Sequence, residues 1–165
     1  MKKTALCLCI IAVLSGCMML CACSEKDTDT EPVSNGYTVI KADEKQQQAV
    51  IDTVNSYLKA LEDKSISELL ECADKDFSLC TNETAFQDMT NELQSAVLER
   101  IDFDSFQIKD DRMLVCVDYR LTYSGSFTDP EGVSRTPGEY SRKEVFTLKD
   151  DGGYRILSTE KTAEG

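Results

Sequence analysis

From Lys45 onward the apolar positions Ala49, Val50, Val54, Tyr57, Leu58 and Leu61 recur at helical intervals. One stripe of that helix faces a core and the polar remainder faces water. Asp43 and Glu44, just ahead of it, are helix-start signals. Ser65-Ile66-Ser67-Glu68 has the form of a capping box and, with Leu69 and Leu70, predicts a short second helix from Ser65 to Cys72. Phe77 and Leu79 are expected core residues in the connection that follows. Asn82 is placed to cap a third helix whose stripe is Phe86, Met89, Leu93, Val97 and Ile101.

Past Ile101 the repeat changes from the helical period to alternation. Phe103 to Lys109 predicts a strand, ended by Asp110-Asp111. Met113 to Phe127 predicts a longer one, in which Val115, Val117, Tyr119, Leu121 and Tyr123 alternate with Cys116, Asp118, Arg120, Thr122 and Ser124. A polar loop runs from Asp129-Pro130-Glu131-Gly132 to Pro137-Gly138, and Glu139 to Lys149 resumes the alternation. Asp150-Asp151-Gly152-Gly153 is a hairpin turn, after which Tyr154 to Thr159 closes the sheet. Strands joined this closely are antiparallel. Helices first and sheet second give an α+β fold, with the helices packed on one sheet face.

The region before this domain has a different character. Met1-Lys2-Lys3 is a short positive start, and Thr4 to Ala22 carries no charge. At Ser24 the composition flips to Ser-Glu-Lys-Asp-Thr-Asp-Thr-Glu. This is the anatomy of a secretory signal peptide. Its end resembles the lipobox of bacterial lipoproteins, matched by Leu14-Ser15-Gly16-Cys17 and again by Leu20-Cys21-Ala22-Cys23. Cleavage before Cys23 leaves no apolar tail on the product, so Cys23 is the expected lipidation site and Cys17 the alternative. The resemblance implies a diacylglyceryl group on that cysteine. Two acyl chains anchor stably where one is marginal, which places the domain on the extracytoplasmic side of the cell membrane. The competing reading is an uncleaved anchor, because about 20 apolar residues can span a bilayer. The expected organisation is a signal over 1–22, a flexible acidic spacer over 23–36 and a folded domain over 37–165.

With 165 residues there is room for one domain, and a two-lobed solute-binding protein is too large to fit. The net charge of −12, from 18 basic and 30 acidic residues, disfavours nucleic acid as a partner. There is no histidine, which removes the commonest general base and metal ligand. Of eight cysteines, only Cys72, Cys80 and Cys116 lie in the folded part. None forms a C-x-x-C pair, so no metal is expected. Cys72 and Cys80, with the seven residues Ala73 to Leu79 between them in the loop they would close, are the candidate disulfide. Free thiols throughout are the alternative, and Cys116 is expected as a packed thiol opposite the Tyr119 face.

The order and lengths of the elements resemble the nuclear transport factor 2-like superfamily. The likeness is carried by Val54-Asn55-Ser56-Tyr57-Leu58-Lys59-Ala60-Leu61, the two-turn helix ending near Asp76-Phe77, the long strand from Met113 and the hairpin around Asp150-Asp151-Gly152-Gly153-Tyr154. It implies a curved sheet wrapping the helices into a cone whose open end is often a ligand pocket. That superfamily hosts isomerases, dehydratases and non-catalytic members, so fold alone does not decide function.

Strand parity puts Arg142 and Glu144 on one face with Tyr140, Phe146 and Leu148. If that face lines the cone, Arg142 and Glu144 project into a pocket to which Tyr119, Tyr123 and Tyr140 add hydroxyls. The plainer possibility is an Arg142–Glu144 pair at the sheet end and tyrosines buried as core. The acidic doublets Asp102/Asp104, Asp110/Asp111 and Asp150/Asp151 sit at element ends, where acidic residues simply favour turns. Serine and cysteine lack a histidine partner, and no glycine-rich phosphate loop implies a cofactor. The expectation is an exported, lipid-anchored, non-catalytic protein that binds a small molecule, peptide or envelope protein. The alternative is an isomerase- or dehydratase-like enzyme using Glu144 with Tyr119 or Tyr140.

Overall fold

The computed structural model describes residues 36–162. The expected signal peptide, the lipobox cysteines Cys17 and Cys23 and nearly all of the spacer lie outside the described residues. Helix α1 (Glu44–Glu62) begins at a complete capping box: the Asp43 carboxylate accepts from the Gln46 amide at 2.8 Å, and the Gln46 side chain accepts from the Asp43 amide at 3.0 Å. Its stripe Val50, Val54, Tyr57, Leu58 and Leu61 is buried as the spacing requires. In α2 (Ile66–Cys72) only one arm of the predicted box is present. The Ser65 hydroxyl accepts from the Glu68 amide at 3.3 Å, while the Glu68 carboxylate lies 3.8 Å from Lys59. Phe77 and Leu79 enter the core, and Leu79 does so from a one-turn helix, α3 (Ser78–Thr81), that the pattern did not reveal. Asn82 caps α4 (Glu83–Thr90), accepting from the Ala85 amide at 3.1 Å.

The third helix is shorter than its stripe suggests. Leu93, Val97 and Ile101 belong to a strand, β2 (Leu93–Lys109), preceded in the sheet only by the two-residue β1 (Thr38–Val39). The reason is irregular register. β2 slips against its partner between Leu93 and Ser95, between Leu98 and Arg100, and between Asp102 and Gln107. Each bulge shifts the inward phase by a residue, so the buried or half-buried apolar residues fall at 93, 96, 98, 101 and 103, while Val97 of the expected stripe is 46% exposed.

The sheet continues through β3 (Arg112–Tyr123), β6 (Gly138–Asp150) and β7 (Tyr154–Lys161) in the order β1-β2-β3-β6-β7, antiparallel throughout. The predicted strand beyond Met113 therefore stops at Tyr123. Phe127–Thr128 forms a separate strand, β4, which pairs with β5 (Ser134–Arg135) inside the loop. Along β3 the alternation is complete: Met113, Val115, Val117, Tyr119, Leu121 and Tyr123 are all buried. They join α1, Phe146, Leu148 and Ile156 in one core on the concave face of the sheet. On the convex face Asp118 and Arg120 sit among charges, Arg120 lying 3.3 Å from Glu99 and 3.5 Å from Glu139. The outer edge of β7 is also engaged. The Ile156 carbonyl accepts from the Asp74 amide at 2.8 Å, and the Arg155 guanidinium donates to the carbonyls of Leu70 and Ala73 at 2.6 and 2.7 Å. Among the described residues no helix is long and apolar enough to cross a membrane.

Candidate functional site

Six elements and a loop converge at one end of the concave face. The pleat of β6 carries Arg142 and Glu144 inward, on the same side as Phe146 and Leu148. Register then places Tyr119 of β3 opposite Arg142, and Lys161 of β7 opposite Glu144. Helix α1 contributes Tyr57, and the loop between β4 and β5 contributes Glu131. Together they surround a cavity of about 100 Å³ whose remaining wall includes Leu79, Met89 and Leu121.

The charges of the cavity are unevenly engaged. Lys161 and Glu131 hold each other at 2.7 Å. The Arg142 side chain, half-buried, makes neither a salt bridge nor a hydrogen bond among the described residues. Glu144, 8% exposed, has no salt bridge among them either. Its charge acts on the neighbouring Tyr119 hydroxyl. Burial, reinforced by the nearby Tyr57 hydroxyl and the Glu144 charge, holds the Tyr119 hydroxyl well above its ordinary pKa. Burial, and after it the Glu144 charge, does the same for Tyr57. Both phenols are therefore neutral near pH 7 and can donate a hydrogen bond.

The loop that brings Glu131 to the cavity is built around Asp129, whose side chain is fully buried. Its carboxylate accepts from the amides of Glu131 at 3.1 Å and Val133 at 2.8 Å, and from the Arg135 guanidinium at 2.9 and 2.8 Å. Gly132, at φ +79°, supplies the left-handed residue this tight return needs.

Of the five expected pocket residues, Tyr119, Arg142 and Glu144 line the cavity. Tyr123 and Tyr140 do not. Phe127, folding back from β4, stacks on the Tyr123 ring at 3.4 Å and meets the Tyr140 ring edge-on at 5.2 Å. The Tyr140 hydroxyl donates to the Thr136 carbonyl at 2.7 Å. Strand parity gave the correct face for both residues, but it carries no information about what covers that face. Tyr57, Glu131 and Lys161 escaped the sequence reading. Tyr57 is indistinguishable from the rest of its core stripe, and the other two reach the site only through tertiary folding.

The solved structures place this architecture. No family model matches the chain, and no curated protein sequence does. The chain is similar to a solved NTF2-like protein from Cytophaga hutchinsonii, at 16% identity and a TM-score of 0.51, over 72% of this chain and 98% of that one. The fold is nuclear transport factor 2-like. A function-unknown protein from Mycobacterium tuberculosis is similar at 10% identity and a TM-score of 0.50, over 70% of each chain. At these identities the likeness concerns the NTF2-like fold, and the chemistry of the cavity rests on its own residues.

The candidate disulfide is not formed in the structure. Cys72, Cys80 and Cys116 are free thiols, and the Cys72 thiol donates to the Leu69 carbonyl at 3.4 Å. Cys72 is buried at the end of α2, and that burial pushes its pKa up to about 11. Because the thiolate is the reactive form, Cys72 is expected to resist iodoacetamide at pH 8 in the native protein and to react on unfolding. Peptide mapping of native and urea-treated protein checks this, and equal labelling in both states would contradict it. Among the described residues no cluster of three or more histidine, cysteine, aspartate or glutamate side chains could hold a metal.

Proposed function

We propose that the chain is an exported protein held on the outer side of the cell membrane by a lipid on Cys23, or else on Cys17, and that its domain binds a small polar molecule. The observation that carries the binding reading is the pair Arg142 and Glu144. Both face one small cavity, and neither is neutralised by an ion pair among the described residues. Desolvating a charge without a partner is costly, and a ligand that supplies the partner recovers that cost. The volume limits what enters. About 100 Å³ lies well below the roughly 300–1,000 Å³ of sites that take drug-sized molecules. The anchoring reading rests on the charge-free run before Ser24 and the two lipobox matches.

One observation favours a catalytic alternative. Glu144 is buried beside the neutral Tyr119 hydroxyl, the pairing of a base with an oxyanion donor that an isomerase or dehydratase requires. Tyr140 leaves that role, since its hydroxyl is spent on Thr136. Binding is preferred because the unpaired guanidinium lies in the same cavity and asks for a charge, which proton abstraction from a neutral substrate does not supply.

Two measurements test the proposal. Intact-mass analysis of the membrane fraction is expected to show a chain beginning at Cys23 and carrying acyl mass, and Cys23→Ser is expected to abolish that mass. A mature chain that retains Met1 to Ala22 without lipid rejects the anchor. For the domain, a bound molecule recovered unchanged after prolonged incubation supports the binder. Conversion of it by the wild type but not by Glu144→Gln establishes the enzyme.

A further inference from the structure

We infer that the molecule taken by this cavity is a small zwitterion with one carboxylate and one ammonium group, of the size of glycine, alanine or serine. The inference rests on the binding reading above and specifies its ligand. Four charged side chains line the cavity, two of each sign. Lys161 and Glu131 cancel at 2.7 Å. What remains is one guanidinium and one carboxylate, both partnerless in ion-pair terms among the described residues. Arg142 and Glu144 are two residues apart on one face of β6, so their backbones stand about 6.6 Å apart. They nonetheless lie too far apart for a salt bridge to each other.

The net charge of these four groups is zero, and that decides among ligand types. A simple anion would satisfy Arg142 but lie against Glu144, and a simple cation would satisfy Glu144 but lie against Arg142. Either repulsion acts in a half-buried site, where charges are weakly screened. A molecule that is neutral overall, with its charges separated, meets both groups with the right sign. Arginine's planar fork suits a carboxylate bidentately. Glu144, which lines the same cavity as Tyr119, can accept from an ammonium. The apolar wall of Leu79, Met89 and Leu121 leaves room for a short aliphatic or hydroxymethyl group. At about 100 Å³ the cavity suits a small amino acid better than a drug-sized molecule.

The test is isothermal titration of the full chain in detergent micelles with glycine, L-alanine and L-serine, beside propionate, ethylammonium and the uncharged propionamide. At least one of the three amino acids is expected to bind about tenfold or more tightly than every single-charge probe. Arg142→Met, which keeps the apolar stem, is expected to remove the advantage over ethylammonium. Glu144→Gln, nearly isosteric, is expected to remove the advantage over propionate. Propionate binding as tightly as alanine to the wild type would overturn the zwitterion and leave a small-ligand pocket standing. Binding of propionamide alone would do the same. Failure of all six probes would overturn the zwitterion and the small-ligand reading together. The comparison within the wild type holds whether or not either variant folds.

Discussion

Replacing Phe146 with alanine is expected to cost the folded domain about 3–5 kcal/mol, the range for deleting a fully buried aromatic ring. Phe146 is wholly buried, and its ring is met edge-on by Tyr57 at 5.4 Å and by Tyr119 at 6.2 Å. Both are cavity residues that reach the site from different elements. The hole would therefore open beneath the floor of the site, and loss of ligand binding is expected to accompany loss of stability. Urea unfolding of the detergent-solubilised chain, followed by circular dichroism, measures the first. A cost below about 1 kcal/mol would mean that α1 and β3 close the gap by moving together.

The second large effect is expected at Asp129. Removing its carboxylate in Asp129→Ala orphans the amides of Glu131 and Val133 and the guanidinium of Arg135. Breaking a fully buried pair costs about 3–5 kcal/mol. Here Arg135 is 40% exposed and water takes over part of its solvation, so about 2–3 kcal/mol is expected. The contribution depends on pH with a definite sign. Burial works to raise the Asp129 pKa, but the Val133 amide, Arg135 and Glu131 outweigh it and hold the carboxyl below its ordinary value. A carboxyl depressed in the folded state stabilises fully above the unfolded value of about 3.9 and loses that stabilisation as pH falls through the folded one. The gap between wild type and variant is thus expected at full size near pH 7 and to narrow below about pH 4. A gap that is constant from pH 7 to pH 2 would contradict the assignment. The variant also frees Glu131, so its ligand affinity is expected to fall.

Sequence periodicity revealed most of what positions the site. The α1 stripe, the alternation of β3 and the parity of β6 are each set by a face that must be buried, and so they appear in the order of residues. The parity that pointed Arg142 and Glu144 inward is the same physics that buries Phe146 and Leu148. Where the chain departs from a regular repeat, that legibility ends. The bulges of β2 break its alternation, with an outward Val97 completing a false helical stripe, and the carboxylate-centred loop at Asp129 has no period at all. Tyr123 and Tyr140 were on the correct face, yet Phe127 closes over them from a segment whose return is set by tertiary contacts. Lys161 joins Glu131 across 30 residues of chain, a pairing that no local pattern announces.

The engagement of β7 with α2 has a consequence for life in a crowd. A sheet's last strand offers unpaired amides and carbonyls, on which a neighbouring molecule can add its own strand and begin an aggregate. Here the chain adds to that edge itself: the Ala73–Asp74 segment bridges Ile156, and Arg155 reaches back to the carbonyls of Leu70 and Ala73. The opposite side ends in the two-residue β1 against the irregular β2, a short and uneven template. With both rims of the sheet blunted, the domain offers a neighbouring molecule a poor template for adding a strand.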